Sequence, residues 1–498
     1  MATMAAERPD RLYRFDPLDE SGVFLGLGVI QCALVGGGLV AGVGLVSLGA
    51  PLLAAAVPVL VGAALSFARI SGYVAWEWLP LGASWAWMRF GRGRQWHARL
   101  PLLVDDGHRS PPMPPCLDGL DIVAVPWRGG LAFGAVRDKQ AATLTALVPA
   151  AGPEFITRSR DEQEHLLNGW ADVLGQFAPE RSPVVHLGWA DTARQSGLRQ
   201  HIEWLDSTER GDPHAEAHDS YRDLLEGAAA QASSHEVFLF LTVSRDRLGR
   251  RAATADPEAA TGRALCSAID ALHRGLRNAG LHAADPLTPA EARKHLRTRI
   301  DPFAARPRAI DGRLVERLGL VKPGAEGPLS LDTAWRHLHA DSAVHRTYWV
   351  VGFPRLPQHP AWLEPFLAGN GITRTLTVFF RPVAPHQSRR RIERDLVKLE
   401  SDAQTKEDKG GRVDARHRRA TQALLDREDE LVAGYAEMGH LALVCVSAPD
   451  LERLDDDCEV VEQLAREAGI EVRVLDARQD LAWAASLPFG LAPRHLLS

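Results

Sequence analysis

The distribution of apolar and charged residues divides the chain into a short N-terminal apolar region and a long mixed remainder. Residues 21–68 contain no charged side chain. One membrane-spanning helix needs about 20 apolar residues, so this run is long enough for two. The turn-like stretch 47–51 separates them, which predicts spans at 22–46 and 52–68. Because lipid offers the backbone no hydrogen-bond partner, both spans are expected to be helical.

Glycines in the first span have the spacing at which two helices can approach closely. Gly22/Gly26 and Gly38/Gly42 are small-xxx-small pairs, a pattern typical of helix–helix contacts in membranes. The alternative is that this spacing is incidental, because alanine and glycine are common in this chain. The pattern therefore makes these four glycines candidate helix-packing residues of a transmembrane hairpin.

The charges that flank the apolar run predict its orientation. Arginines lie on both outer flanks, and the turn between the spans carries no charge. Positive charge favours the cytosolic side, so both termini are expected there, in a multi-pass protein of the cytoplasmic (inner) membrane. A secretory signal peptide is not expected, because its apolar region would be shorter and this N-terminal tail is also acidic. The flanking arginines are Arg8, Arg11, Arg14, Arg69, Arg89, Arg92, Arg94 and Arg99.

The segment that follows the second predicted span is rich in tryptophan and arginine. Tryptophan favours the headgroup layer of a bilayer, and arginine favours anionic lipid. We therefore expect residues 70–90 to form an interfacial helix. The alternative is an aromatic core helix of the soluble body. The candidate membrane-interface residues are Trp76, Trp78, Trp85, Trp87, Arg89, Arg92 and Arg94.

The remainder of the chain has the patterns of a soluble α/β (α+β) body. Apolar runs such as 236–243 predict buried strands, and helical spacing recurs between them. Residues 387–436 are a long charged helical region, interrupted at Gly410 and Gly411, which predicts a helix hairpin. The strand–helix–strand order over 441–475 predicts a C-terminal α/β layer. No repeat of fixed period is evident.

These patterns predict six segments. They are a cytosolic tail (1–20), two transmembrane helices (21–69), an interfacial segment with a proline-rich linker (70–116), an α+β domain (117–234), an α/β domain (235–385), and the charged helix hairpin with the C-terminal α/β layer (386–498).

Composition and motifs exclude several classes of protein. The net charge of −6 argues against a dedicated nucleic-acid binder, and five scattered cysteines favour a reducing cytosol over a disulfide framework. None of the six lysines follows a glycine, so a phosphate-binding P-loop is excluded. Nucleophile-elbow and zinc-protease motifs are also missing from the sequence.

Two histidine groups have a spacing that could bind a metal ion. His214 and His218 are four residues apart among carboxylates, and His337, His339 and His345 lie at an expected helix-to-strand joint. We interpret both groups as surface residues. The nearly balanced charges of 389–430 are typical of a solvated helical face, with a partner-docking arm as the alternative. No catalytic, cofactor-binding or metal-binding residue is predicted.

The layout resembles a known family. The tail Tyr13-Arg-Phe-Asp-Pro17, the two spans, the Trp/Arg segment and the hairpin 133–142 are similar to actinobacterial membrane proteins grouped with EccE, a type VII secretion component. The C-terminal half is similar to the region before the motor in type IV secretion (VirB/TraC-type) ATPases, in residues 430–434, 441–447 and 479–488. No P-loop motor follows in this sequence, so the resemblance does not carry ATPase activity to this chain.

Both resemblances imply a non-enzymatic integral-membrane scaffold subunit of a bacterial secretion or conjugal transfer machine. The expected partners are membrane lipid, other secretion or transfer subunits, further copies in an oligomer, and a separate P-loop ATPase. Direct binding of nucleic acid and a bound cofactor are not expected. The alternatives are a membrane-anchored hydrolase whose site was not recognised, and a membrane-tethered sensor or binding module.

Overall fold

The fold was determined as a computed structural model. It describes residues 29–70, 73–90, 94–98, 113–152, 154–195, 205, 217, 220–225, 233–248, 256–304, 327–354, 358–368, 371–408 and 415–491. The N-terminal elements are α1 (Val29–Ser47), α2 (Leu52–Phe67), β1 (Arg69–Ile70), β2 (Tyr73–Val74), α3 (Trp78–Phe90) and β3 (Gln95–His97).

The first half of the body contains six strands and three helices. Along the chain these are β4 (Leu120–Pro126), β5 (Ala132–Asp138), β6 (Thr143–Ala151), α4 (Arg160–Gly175), β7 (Val184–Gln195), β8 (Ser233–Ser244), α5 (Pro257–Asn278), β9 (His282–Ala283) and α6 (Pro289–Ile300). Strands β6 and β7 both pair antiparallel with β8, which lies between them. Strand β9 pairs with the other side of β6, so β9, β6, β8 and β7 lie side by side in that order.

The second half repeats this arrangement and adds a helix hairpin. Its elements are β10 (Ser330–Thr333), β11 (Leu338–Ala340), β12 (Ala343–Gly352), α7 (Glu364–Leu367), β13 (Arg374–Pro382), α8 (Pro385–Asp408), α9 (Ala415–Val432), β14 (Met438–Ala448), α10 (Leu451–Glu467), β15 (Glu471–Val474) and α11 (Gln479–Ser486). Strands β15, β12, β14 and β13 lie side by side, again with antiparallel pairing throughout.

The body is therefore a mixed α+β structure made of two similar units. Each unit begins with a β-hairpin, continues as a β-α-β-β-α-β motif of the split type, and ends with a helix. The units meet where β7 pairs antiparallel with β13, from Leu187 opposite Phe380 to Ala193 opposite Arg374. All the strands but β1 and β2 join one 13-stranded sheet. The sequence shows no periodic repeat because the two units share topology while their connections differ in length.

The sheet crosses the domain limits that the sequence predicts. The limit at 234/235 falls inside β8, and the limit at 385/386 lies at the start of α8, between strands that are neighbours in the sheet. Sequence patterns mark where single strands begin and end, but hydrogen bonds between distant strands decide which strands form one unit. The predicted C-terminal α/β layer is present as β14, α10 and β15, with β12 inserted between the two strands.

The helices cover both faces of the sheet. Helices α4, α5 and α10 pack on one face, where Trp189 contacts the apolar clusters of both units. Helices α6 and α11 cover the opposite face. Helix α5 presents Leu265, Ile269 and Leu272 to the sheet, each at most 1% exposed, because residues three to four apart share one side of a helix.

The two units are tied together by their chain ends. Strand β3, which precedes the first unit, pairs with β10 at the far edge of the second unit. In the other direction, the Gly490 carbonyl at the end of the second unit accepts a hydrogen bond from buried His186 of the first, at 2.7 Å. Gly490 has a φ of +66°, and an added Cβ would lie 2.5 Å from the hydroxyls of Thr145 and Thr242. Each unit thus completes the packing of the other.

The predicted helix hairpin is present as α8 and α9, which contact each other and connect β13 to β14 along the chain. Ile392 is buried where the two helices meet the body. Arg391 and Arg427 both pair with Glu437 at this base. We call this pair of helices the arm.

Candidate membrane anchor and its junction with the sheet

Helices α1 and α2 pack against each other along their length in antiparallel directions. A Cβ added to Gly38 would lie 2.6 Å from the Pro58 carbonyl oxygen, and one added to Gly62 would lie 2.6 Å from the Leu34 carbonyl oxygen. Gly42 has the same relation to Ala55, at 2.8 Å. Only glycine allows the two backbones this close. Gly38 and Gly42, which the sequence singled out, are therefore contact residues of this helix pair.

A polar contact joins the other end of the pair. The Gln31 amide donates to the Ser66 carbonyl at 2.8 Å, and the Ser66 hydroxyl lies 3.2 Å from the Gln31 carbonyl. Ser66 is 1% exposed, so its hydroxyl is sheltered between the helices. Such bonds hold helices together where no hydrophobic effect acts between them.

The outer surface of this helix pair is apolar. More than half of the large hydrophobic side chains that the structure leaves exposed lie between residues 30 and 90. Among the described residues, one helix is long and apolar enough to cross a membrane, residues 30–47 of α1, and almost none of it is buried. Helix α2 is also apolar but has 16 residues, which is short of the length for a span. The second predicted span stays a prediction.

Helix α3 has two different apolar sides. Leu79, Trp87 and Phe90 are 56%, 83% and 87% exposed, and their spacing places them on one side of the helix. Trp78 and Trp85 lie on the opposite side and contact the body. A helix with one side on a protein and an exposed apolar stripe on the other is suited to lie in a membrane interface.

Trp335, in the turn between β10 and β11, joins the body to α3. The Trp335 ring stacks on Trp78 with centroids 6.0 Å apart, and it meets the edge of Trp85 at 5.4 Å. Sequence reasoning missed Trp335. Its only signal is a tryptophan inside a short polar turn, where a large apolar side chain requires a partner.

The structure places the predicted membrane-interface residues in different environments. Trp78 and Trp85 face the body, while Trp87 and Arg89 are exposed and Trp76 is half-buried. The Arg94 guanidinium donates to the Asp332 carboxylate at 2.9 Å and so lies on the sheet, beside the pairing of β3 with β10. Arg92, Gly22 and Gly26 lie outside the described residues.

In the part of the chain that the structure describes, no group of three or more His, Cys, Asp or Glu side chains is close enough to hold a metal ion. His214 and His218 fall outside it. His345 is buried, contrary to the surface interpretation: its ring nitrogens contact the Ser447 hydroxyl at 2.8 Å and the Ile300 carbonyl at 3.0 Å. Burial lowers the pKa of His345 to about 4, so this ring is a neutral tie between the units.

A buried network of charged and polar side chains fixes α6 to the sheet. The Arg299 guanidinium, whose side chain is 4% exposed, donates to His295 Nε2 at 3.3 Å and pairs with Glu236 at 3.3 Å. Burial is the main cause that lowers the pKa of His295 to about 3 and that of Arg299 to about 9. His295 is therefore neutral and accepts the bond, which makes this cluster a structural joint between α6 and β8.

The chain was compared with known proteins. No family model matches it, and no curated protein matches it.

Proposed function

We propose that this chain is a non-enzymatic integral-membrane scaffold subunit of a bacterial secretion or conjugal transfer machine. In this proposal α1 and α2 form a transmembrane hairpin, α3 lies in the interface, and the two-unit body stands on the cytosolic side. The single observation that carries it is the set of exposed large apolar side chains on α1, α2 and α3, because soluble proteins rarely expose large apolar patches.

The length of α2 does not exclude a second span. Two helices that share close glycine contacts and a sheltered Gln31–Ser66 contact would cross as a pair. A short apolar helix can be accommodated by local thinning of the bilayer or by its flanking residues. The charge distribution on the flanks supports cytosolic termini.

The secretion role is supported by the resemblance to EccE-like proteins and by the arm. Helix α9 ends with exposed Asp429 and Glu430, where carboxylates meet the negative end of the helix dipole and cost stability. Such charges are better explained by a surface that meets a partner, such as another subunit or a separate ATPase.

The topology can be tested with single-cysteine variants in a background without the native cysteines. Leu48→Cys places a thiol in the α1–α2 turn, and Tyr435→Cys places one on the body. In intact spheroplasts we expect a membrane-impermeant maleimide to label the first variant and to label the second only after permeabilisation. Labelling of both or of neither in intact spheroplasts would contradict the two-span topology.

The assembly role needs a separate test, a crosslinked purification of the tagged chain from native membranes read by mass spectrometry. Co-purification of a P-loop ATPase and further membrane subunits is the expected result. A chain that purifies alone, with the topology confirmed, would leave a membrane protein that is not a scaffold.

A further inference from the structure

A groove of about 510 Å3 lies beside β15, at the end of the body that contacts α3. Seven of its lining residues are ionisable: Arg336, Tyr348, Glu462, Arg466, Glu471, Arg473 and Asp476. The groove thus carries three arginines and three carboxylates. With equal numbers of positive and negative groups, the groove is suited neither to a ligand that carries only negative charge nor to one that carries only positive charge.

A carboxylate forms the floor of the groove. The Asp476 side chain is 7% exposed, and its Oδ1 accepts no hydrogen bond. The nearest cation, Arg336 Nε, is 3.5 Å away. Burial raises the pKa of Asp476 above its ordinary range, which means that its environment does not fully stabilise the negative charge. A buried acceptor without a donor costs stability, so this oxygen is suited to receive a donor from a ligand.

The groove presents carboxylates and guanidinium groups side by side. Asp476 lies beside Arg336, and the Tyr348 hydroxyl donates to the Glu462 carboxylate at 3.0 Å, which holds a second negative group in place. Arg466 is exposed, and the half-buried Arg473 lies 3.8 Å from Glu471. A ligand with one ammonium group and one phosphate group can therefore pair with both kinds of charge.

The groove is connected to the candidate membrane interface by direct contacts. The Ala477 backbone N–H, next to Asp476, donates to the Trp335 carbonyl at 2.8 Å, and the Trp335 ring packs on Trp78 and Trp85 of α3. Arg336, which follows Trp335, lines the groove. The groove therefore lies close to the helix that we propose to rest in the membrane interface.

We propose that the groove binds the phosphoethanolamine headgroup of an aminophospholipid at the membrane surface. Asp476 and Glu462 accept hydrogen bonds from the ammonium group, while Arg466 and Arg473 contact the phosphate. This inference rests on the proposed membrane anchor, because only an anchored body keeps the groove at headgroup level.

The chemistry of the site predicts a sharp preference. A primary ammonium has three N–H donors, as in lysine, whereas the quaternary ammonium of choline has none. Phosphatidylglycerol has the phosphate but no cation. Because a hydrogen bond to a buried charge is worth about 1.4 kcal/mol or more, we expect roughly tenfold weaker binding of either competitor.

The test uses the full chain in a detergent that lacks amine and phosphate groups, titrated with dihexanoyl phosphatidylethanolamine, phosphatidylcholine and phosphatidylglycerol by calorimetry. Saturable binding with the ethanolamine lipid preferred by roughly tenfold is expected. Equal binding of ethanolamine and choline lipids would overturn the assignment. Free O-phosphoethanolamine that binds as tightly as the lipid would also overturn it, in favour of a soluble ligand.

Variants locate the binding within the groove. We expect Asp476→Asn and Arg473→Gln each to weaken binding of the ethanolamine lipid by roughly tenfold, with Asp456→Asn, on the exposed side of α10, as the matched control. Unchanged binding by Asp476→Asn would refute the proposed site. Because burial already disfavours the charge of Asp476, this variant should unfold no earlier than the unmodified protein at pH 7, which separates loss of binding from loss of fold.

Failure of this inference can be told from failure of the anchor. If carbonate extraction leaves the chain in the membrane but headgroup preference is missing, the groove assignment alone is wrong. If carbonate releases the chain, the anchor itself is wrong.

Discussion

The contact between Trp335 and α3 makes a prediction about how firmly the anchor is joined to the body. Replacing Trp335 with alanine removes a side chain that meets both Trp78 and Trp85. The backbone pairing of β3 with β10 and the Arg94–Asp332 ion pair remain. The variant should therefore free α3 while the sheet edge stays formed.

The size of the effect follows from the ring geometry. One contact is stacked, with ring planes 10° apart, and the other is edge-on, at 85°. Each aromatic pair of this kind contributes about 0.5–1.5 kcal/mol beyond its buried area. Loss of both should cost about 1–3 kcal/mol, which raises the population of undocked α3 roughly 5- to 150-fold.

Hydrogen exchange read by mass spectrometry, on full-length protein in detergent, measures this population. We expect faster exchange over residues 78–90 in Trp335→Ala and little change over 236–243. Trp127→Ala is the matched control, because Trp127 also makes an edge-on aromatic contact, at 5.5 Å with Phe133, but is not in contact with α3. Equal exchange of α3 in the Trp335 variant and the unmodified protein would show that these rings do not hold the helix.

Three further predictions concern packing and pH. Gly38→Leu should force α1 and α2 apart, which destabilises the protein by about 1–3 kcal/mol and lowers its denaturation temperature in detergent. Gly37→Leu should not, because a Cβ added at Gly37 meets nothing within 4 Å. Gly188→Ala places a Cβ 2.0 Å from the Val378 carbonyl oxygen and should destabilise the β7–β13 junction in urea unfolding by at least about 1–3 kcal/mol; Gly439→Ala, with its nearest contact at 3.7 Å, should change little. His345 stays neutral when folded because its pKa is lowered to about 4, so the unfolded state alone gains its proton as pH falls from 6.5 to 5. This protonation of the unfolded state should lower the free energy of unfolding by about 2 kcal/mol. In His345→Gln the free energy of unfolding should fall less over the same pH range. An equal pH slope in both proteins would contradict a neutral His345 in the folded protein.

Local patterns predicted the elements well where the chain neighbours determine the structure. The sequence Thr288-Pro-Ala-Glu291 has the residue types of a capping box and forms one at the start of α6, where the Glu291 carboxylate accepts from the Thr288 N–H at 2.9 Å. The apolar run 236–243 is the centre of β8, and the Gly410–Gly411 break separates α8 from α9. In each case the signal lies within the segment itself or in its immediate neighbours in the chain.

Long-range pairing was out of reach of the same patterns. Nothing in the sequence near β3 indicates that it joins β10, more than 230 residues away, because three residues carry no distinct periodicity. The two-unit organisation was missed for a related reason: the arm lengthens the second unit between two strands that are neighbours in the sheet. The role of Trp335 depends on α3, which is remote in sequence.

The ties between chain ends have a consequence for biosynthesis. Helices α1 to α3 are synthesised before the body, so the anchor that we propose can enter a membrane while the body is still being made. The first unit cannot bury His186, Thr145 and Thr242 in their final contacts until Gly490 has been synthesised, and β3 must wait for β10 of the second unit. Domains that fold as units can do so in order from the N-terminus, but here the first unit must wait for the second before it can close. The two units therefore complete their fold together, and their contacts between distant residues make that step slow.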